Sequence, residues 1–223
     1  MGKELIPYDK LQRTIGFWQI AQKIESTLSD STLELLDAYS TGVNSYIRNN
    51  PKNLSIQFSL ADMEPIEWTP THSIALARMM AWELNLAWKS ELNYAYFAQT
   101  LSEEKFAQLL PDSQFLASAS TDDANWAQTL MPFLETNEQL NKMLGKEGSH
   151  VGSNAWAVNA NKSTTDAPLL AGDPHLGLSM PGKWYEAHLN VNGQNLSGAT
   201  LAGAPIVILG QNDHLAWSLT NIM

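Results

Sequence analysis

A hydroxyl nucleophile needs a base to take its proton, and Ser153 could come to carry its own. It sits in the run Gly152-Ser153-Asn154-Ala155-Trp156, a Gly-Ser pair between a polar stretch and an apolar one. One reading is a plain loop-to-strand transition. The other is a self-cleavage junction, in which the Ser153 hydroxyl attacks the carbonyl of Gly152 across a strained peptide and water opens the resulting ester. The freed Ser then holds a hydroxyl and an α-amine on one residue. An α-amine has an ordinary pKa of about 7.7–8.0, so an appreciable part is neutral near pH 7 and can act as general base. No His or Asp partner is then required, which fits a region that lacks a His/Asp pair near Ser153.

Other chemistries find little support. Cys is absent, which removes disulfides, thiol nucleophiles and Cys-based zinc sites. The five His (72, 150, 175, 188 and 214) have no metal-like spacing, and there is no GxGxxG, P-loop or HExxH. Thirteen Lys and Arg against 23 Asp and Glu leave a net charge of −10, so a nucleic-acid partner is not expected. No window approaches 18 consecutive apolar residues, so no membrane span is expected. The start, Met1-Gly-Lys-Glu-Leu-Ile6, has no apolar run of the signal-peptide kind. An apolar fraction of 44% over 223 residues is enough to bury a core.

The elements that must position Ser153 change character near residue 150. Residues 1–148 read as mostly helical and 149–223 as strands. Ser31-x-x-Glu34 reads as a capping box opening a helix that carries Leu35, Leu36, Tyr39, Val43, Tyr46 and Ile47 inward and stops at Asn50-Pro51. Residues 53–68 read as irregular. Thr69-Pro70 opens a long helix expected to reach Gln99, with Ile74, Leu76, Ala77, Met80, Ala81, Leu84, Trp88, Leu92 and Ala95 facing in. His72 is read as a first-turn helix residue. Shorter helices are expected over 102–110 and 126–145. Then come strand runs at 156–158, 168–171, 185–191, 205–209 and 215–220, with Asn192-Gly193 as a hairpin turn. Successive hairpins argue for antiparallel pairing, and the fold class is α+β.

At this point a resemblance enters. Ser153-Asn-Ala-Trp156, Pro168-Leu-Leu-Ala-Gly-Asp-Pro-His-Leu176 and Pro181-Gly-Lys-Trp-Tyr-Glu-Ala-His-Leu189 resemble the opening of the β subunit of the penicillin acylase family. Gly203-Ala-Pro-Ile-Val-Ile-Leu-Gly-Gln-Asn212 and Ala216-Trp-Ser-Leu-Thr-Asn221 continue it in order. Upstream, Leu36-Asp-Ala-Tyr-Ser-Thr-Gly-Val-Asn44 and Glu67-Trp-Thr-Pro70 resemble the helical α subunit. The resemblance implies an N-terminal-nucleophile amidohydrolase with αββα layers, whose precursor cuts itself into paired α and β subunits in the periplasm or outside the cell. It implies that Ser153 is the nucleophile and Gly152 the residue before the cut. By the same resemblance His175 helps orient the α-amine, and the backbone N–H of Asn221 donates to the oxyanion. Glu91 falls where the family places one carboxylate of a structural calcium site; no organic cofactor is implied. Gly172 stands where Asn is common in the family. The family's precursors are several times longer, so the chain is expected to be an internal piece, truncated at both ends and by itself inactive.

The acyl amide cleaved cannot be read from sequence, because penicillins, acyl-homoserine lactones and acylated peptides are all used in the family. A catalytically silent scaffold, in which Ser153 is never freed, is the alternative. A β-rich binding module would require the five blocks to coincide by chance.

Overall fold

The computed structural model describes residues 3–85, 87–109, 126–143, 152–176 and 180–221. After a 3-10 turn at Lys3–Leu5, α1 (Ile6–Ile15) and α2 (Phe17–Glu25) meet at Gly16. Gly16 takes a left-handed φ of 79° and closes α1 by donating its N–H to the Gln12 carbonyl. Helix α3 (Asp30–Asn49) begins earlier than the expected capping box. Ser29 is its N-cap, extended and accepting from the Thr32 N–H at 3.3 Å, while Ser31 and Glu34 lie exposed within the helix. The expected stop at Asn50-Pro51 is where α3 ends.

The inner stripe of α3 also differs from the apolar one expected. Leu35 and Tyr46 are exposed, and the buried positions are Ser40 and Asn44. Both are satisfied there. Ser40 donates to the Leu36 carbonyl, and Asn44 clamps the Trp68 backbone, donating to its C=O and accepting from its N–H, each at 2.8 Å. This clamp holds the chain that leads from the short α4 (Ile56–Leu60), inside the stretch read as irregular, into α5.

Helix α5 (Pro70–Leu84) starts as expected, with Thr69 before it and Pro70 in its first turn. His72 accepts from the Thr69 N–H through Nδ1 at 3.0 Å. The single helix expected to Gln99 is in fact two, because α6 (Ala87–Thr100) starts anew after Asn85. Asn85 is extended, and its Oδ1 accepts from the Ala87 N–H at 3.1 Å. Its short polar side chain thus competes with the helical ladder. The break frees the Leu84 carbonyl from an i+4 partner, and that oxygen accepts from Asn221 Nδ2 at 2.8 Å instead. Helix α7 (Glu103–Gln108) is capped by Ser102, and α8 (Trp126–Met143) packs on α6 around Leu92 and Leu134.

The strands form two antiparallel sheets. β1 (Gly152–Val158) pairs with β2 (Leu169–His175) end to end, from Gly152↔His175 to Val158↔Leu169. β3 (Trp184–Val191), β4 (Gln194–Leu201), β5 (Val207–Asn212) and β6 (Ala216–Trp217) follow in chain order in the second sheet. The β3–β4 turn is Asn192-Gly193, both residues at positive φ (51° and 80°), as a two-residue hairpin of right-handed strands requires. The last strand is shorter than the 215–220 expected. After Trp217 the chain leaves the sheet, and its bonds go to β1 instead.

Among the described residues, helices are tied to the segments that flank the strands. Tyr39 accepts from the Gly203 N–H at 2.8 Å, Lys183 pairs with Glu83, and Asn221 reaches Leu84. Helices and antiparallel sheets together make the α+β class expected. No described helix is long and apolar enough to cross a membrane.

Candidate active site

Ser153 lies in β1 one residue from its N-terminal end, half-buried, with Pro174 opposite it on β2. Gly152 and Ser153 are the first two residues of β1. Its backbone is fixed by the β1–β2 ladder, and its side chain meets the segment that follows β6. The Asn221 N–H donates to Ser153 Oγ at 3.0 Å. Thr220 Oγ1 lies 2.8 Å from the same Oγ and donates to the Ser153 carbonyl at 3.3 Å.

His175 belongs to β2 and is the cross-strand partner of Gly152. Its Nδ1 edge faces Gly152, where a Cβ would stand 3.5 Å away. Its Nε2 lies 2.9 Å from Asp173 Oδ2 and 3.5 Å from Asn154 Nδ2. Nε2 thus faces a carboxylate, and Nδ1 faces the junction.

A cavity of about 480 Å³ opens onto Ser153. Met80, Ala81 and Leu84 of α5 form one wall, and Trp184, Leu201 and Leu209 of the second sheet form another. Ser153, Thr220 and Asn221, which touch one another, are among its lining residues. Ala77 and Ala81, expected inward on α5, face this cavity rather than a packed core, which is why they remain exposed. The arrangement can hold an apolar group with its reacting end against a hydroxyl oxygen and a backbone N–H.

The penicillin amidase family profile matches residues 1–223, the whole chain. The chain belongs to the penicillin amidase family. It is 26% identical over 231 residues to the acyl-homoserine lactone acylase QuiP of Pseudomonas syringae pv. syringae, covering 99% of this chain and 28% of that relative. It is 29% identical over 232 residues to the penicillin acylase 2 proenzyme of Pseudomonas sp. (strain SE83), covering 99% of this chain and 29% of the relative. Over 70 residues, 31% of this chain and 9% of the relative, it is 41% identical to the acyl-homoserine lactone acylase PvdQ of Pseudomonas putida. The chain therefore spans less than a third of the length of these curated relatives. No solved structure matches it.

Within this penicillin amidase chain, Gly152, Ser153, His175 and Asn221 come together at one end of β1 and β2. Glu91 does not join them. It lies exposed on α6, and among the described residues no three His, Asp or Glu cluster closely enough to hold a metal ion. Glu91 alone does not make a calcium site.

Three participants were not anticipated. Thr220 had no signal beyond being next to Asn221. The Leu84 carbonyl becomes an acceptor only through the helix break. Gly172 makes room for Ser218: a Cβ there would stand 1.6 Å from Ser218 Oγ and 2.5 Å from Ser218 Cβ. In this chain the close approach of Ser218 leaves no room for a side chain at Gly172.

Proposed function

We propose that the whole protein is an acylase that hydrolyses acyl amides through Ser153, freed as an N-terminal residue by self-cleavage at Gly152-Ser153. The observation that carries this reading is the 3.0 Å bond from the Asn221 N–H to Ser153 Oγ, both lining a largely apolar cavity. In maturation the Ser153 Oγ–carbon bond to Gly152 forms as the peptide C–N bond breaks, and the Oγ proton passes to the departing nitrogen. Water then opens the ester, leaving a Gly152 carboxylate and a free Ser153 amine and hydroxyl.

In turnover the α-amine takes the Oγ proton as Oγ attacks the acyl carbonyl. Charge grows on the carbonyl oxygen next to Oγ, where the Asn221 N–H exchanges its bond to Oγ for one to the oxyanion. A donor that strengthens as charge develops lowers the barrier, and losing one typically costs about 10²–10³ in rate. The amine returns the proton to the leaving nitrogen, and water attacks the acyl-Ser ester by the same route. His175, on the strand opposite Gly152, orients the α-amine.

The names of the relatives, acylases of penicillins and of acyl-homoserine lactones, support the reaction class. The αββα layering, pairing of α and β subunits after cleavage, and export to the periplasm or beyond belong to the same proposal. So does calcium, with Glu91 as one carboxylate. In the intact protein Glu91→Gln should then lower the melting temperature in calcium but not in chelator, and equal shifts in both would remove that role. The reaction itself is tested by amine release from N-acyl amides with apolar acyl chains. Ser153→Ala should abolish it, and turnover equal to wild type would refute the reading.

A further inference from the structure

We propose that Thr220 is a positioning residue that fixes the hydroxyl of Ser153, an inference that rests on Ser153 being the nucleophile. A threonine hydroxyl has one proton and two lone pairs. The Thr220 hydroxyl lies 2.8 Å from Ser153 Oγ and 3.3 Å from the Ser153 carbonyl, within reach of both. At Ser153 Oγ the Asn221 N–H donates at 3.0 Å and the Thr220 hydroxyl lies at 2.8 Å, so two contacts fix where the oxygen sits.

A single hydroxyl therefore holds both the main chain and the side chain of Ser153. Without it Oγ could rotate about χ1 and lose the alignment with the Asn221 N–H. Orientation of this kind acts on the reacting atom and not on the bound acyl chain, so it belongs in the chemical step rather than in substrate affinity. Thr220 is also backed by its neighbour. Asn221 Nδ2 is anchored to the Leu84 carbonyl, which keeps the unpaired segment after β6 against β1.

The test compares Thr220→Val, which removes the hydroxyl and keeps the shape, with Thr220→Ser, which keeps the hydroxyl. The readouts in the intact protein are the rate of 152–153 cleavage by mass and, after maturation, kcat and KM for an N-acyl amide. Thr220→Val should slow cleavage about 10- to 100-fold for the two lost hydrogen bonds and lower kcat with KM unchanged. Thr220→Ser should restore both to within about threefold. Wild-type cleavage and kcat in Thr220→Val, or a loss confined to KM, would overturn the inference. If the valine variant fails to fold, Thr220→Ala against Thr220→Ser isolates the hydroxyl, and equal rates in that pair would overturn it. Ser153→Ala separates the two claims. Cleavage persisting there refutes the nucleophile itself, whereas an uncut Ser153→Ala beside a fully active Thr220→Val refutes only the role of Thr220.

Discussion

Gly172→Ala is expected to disturb the segment that carries Thr220 and Asn221. The new Cβ would stand 2.5 Å from Ser218 Cβ, where carbon atoms pack at about 3.5–4.0 Å. Rotating the Ser218 hydroxyl away removes the 1.6 Å clash with Oγ but not the one with Cβ. The backbone must open by about 1–1.5 Å, and the cost of such overpacking is about 1–3 kcal/mol. β2 is held along its length by β1, with Gly172 opposite Ala155, whereas residues 218–221 have no strand partner among the described residues. The movement therefore falls on the segment that bears Thr220 and Asn221. Adding about 1 Å to contacts of 2.8 Å and 3.0 Å takes both beyond hydrogen-bond reach of Ser153 Oγ. A displacement of that size near the chemistry costs about 10²-fold in rate. Urea titration should register the lost stability, and timed mass spectrometry of the 152–153 bond the slower cleavage. Ser218→Gly in the same chain should restore both. Unchanged stability and cleavage in Gly172→Ala would refute the steric argument, and failure of Ser218→Gly to rescue would refute its assignment to Ser218.

Other expectations follow from the same contacts. Ser218 Oγ is buried with no hydrogen-bond partner among the described residues, so Ser218→Ala should be neutral or stabilise by about 1 kcal/mol; a loss above about 1 kcal/mol in urea would contradict this. Trp88 is half-buried and stacks on Trp82 with centroids 4.7 Å apart, so Trp88→Ala should cost about 2 kcal/mol, below the ~3–5 kcal/mol of a fully buried Trp. A change within ±0.5 kcal/mol would mean α6 is not held by this face. Hydrogen bonds from the Asn195 side chain and backbone hold the Asp213 carboxyl below its ordinary 3.8. A depressed carboxyl lends stability that is complete above that ordinary value and fades as pH falls through the folded-state value. Acid titrations of wild type and Asp213→Asn should therefore differ above pH 4 and converge below it, and curves parallel throughout would rule the contribution out.

What could be read from sequence was local. Asn192-Gly193, Thr69-Pro70 and Asn50-Pro51 each specify their turn, cap or stop through their own backbone preferences, and each is where expected. The α5–α6 break was not legible, because the Leu84 carbonyl is met by Asn221 from 137 residues away. Helical periodicity on both sides of Asn85 masked it. The α3 stripe misled for a related reason: Ser40 and Asn44 are buried because a helix carbonyl and the Trp68 backbone satisfy them, which no hydrophobic pattern records. At the site, Ser153 could be singled out by the chemistry of a Gly-Ser junction. His175 and Asn221 were reached only through family resemblance, since neither spacing nor composition joins them to Ser153. Thr220 and the Gly172–Ser218 fit needed coordinates.

The central claim is that Ser153 cuts its own peptide bond. It is tested most directly by the intact mass and the N-terminal residues of the purified full-length protein beside its Ser153→Ala variant. The account predicts two polypeptides for the wild type, one beginning Ser153-Asn154-Ala155-Trp156, and one uncut chain for the variant. Cleavage at 152–153 in Ser153→Ala, or a wild type that stays whole under conditions where it is folded, would contradict it.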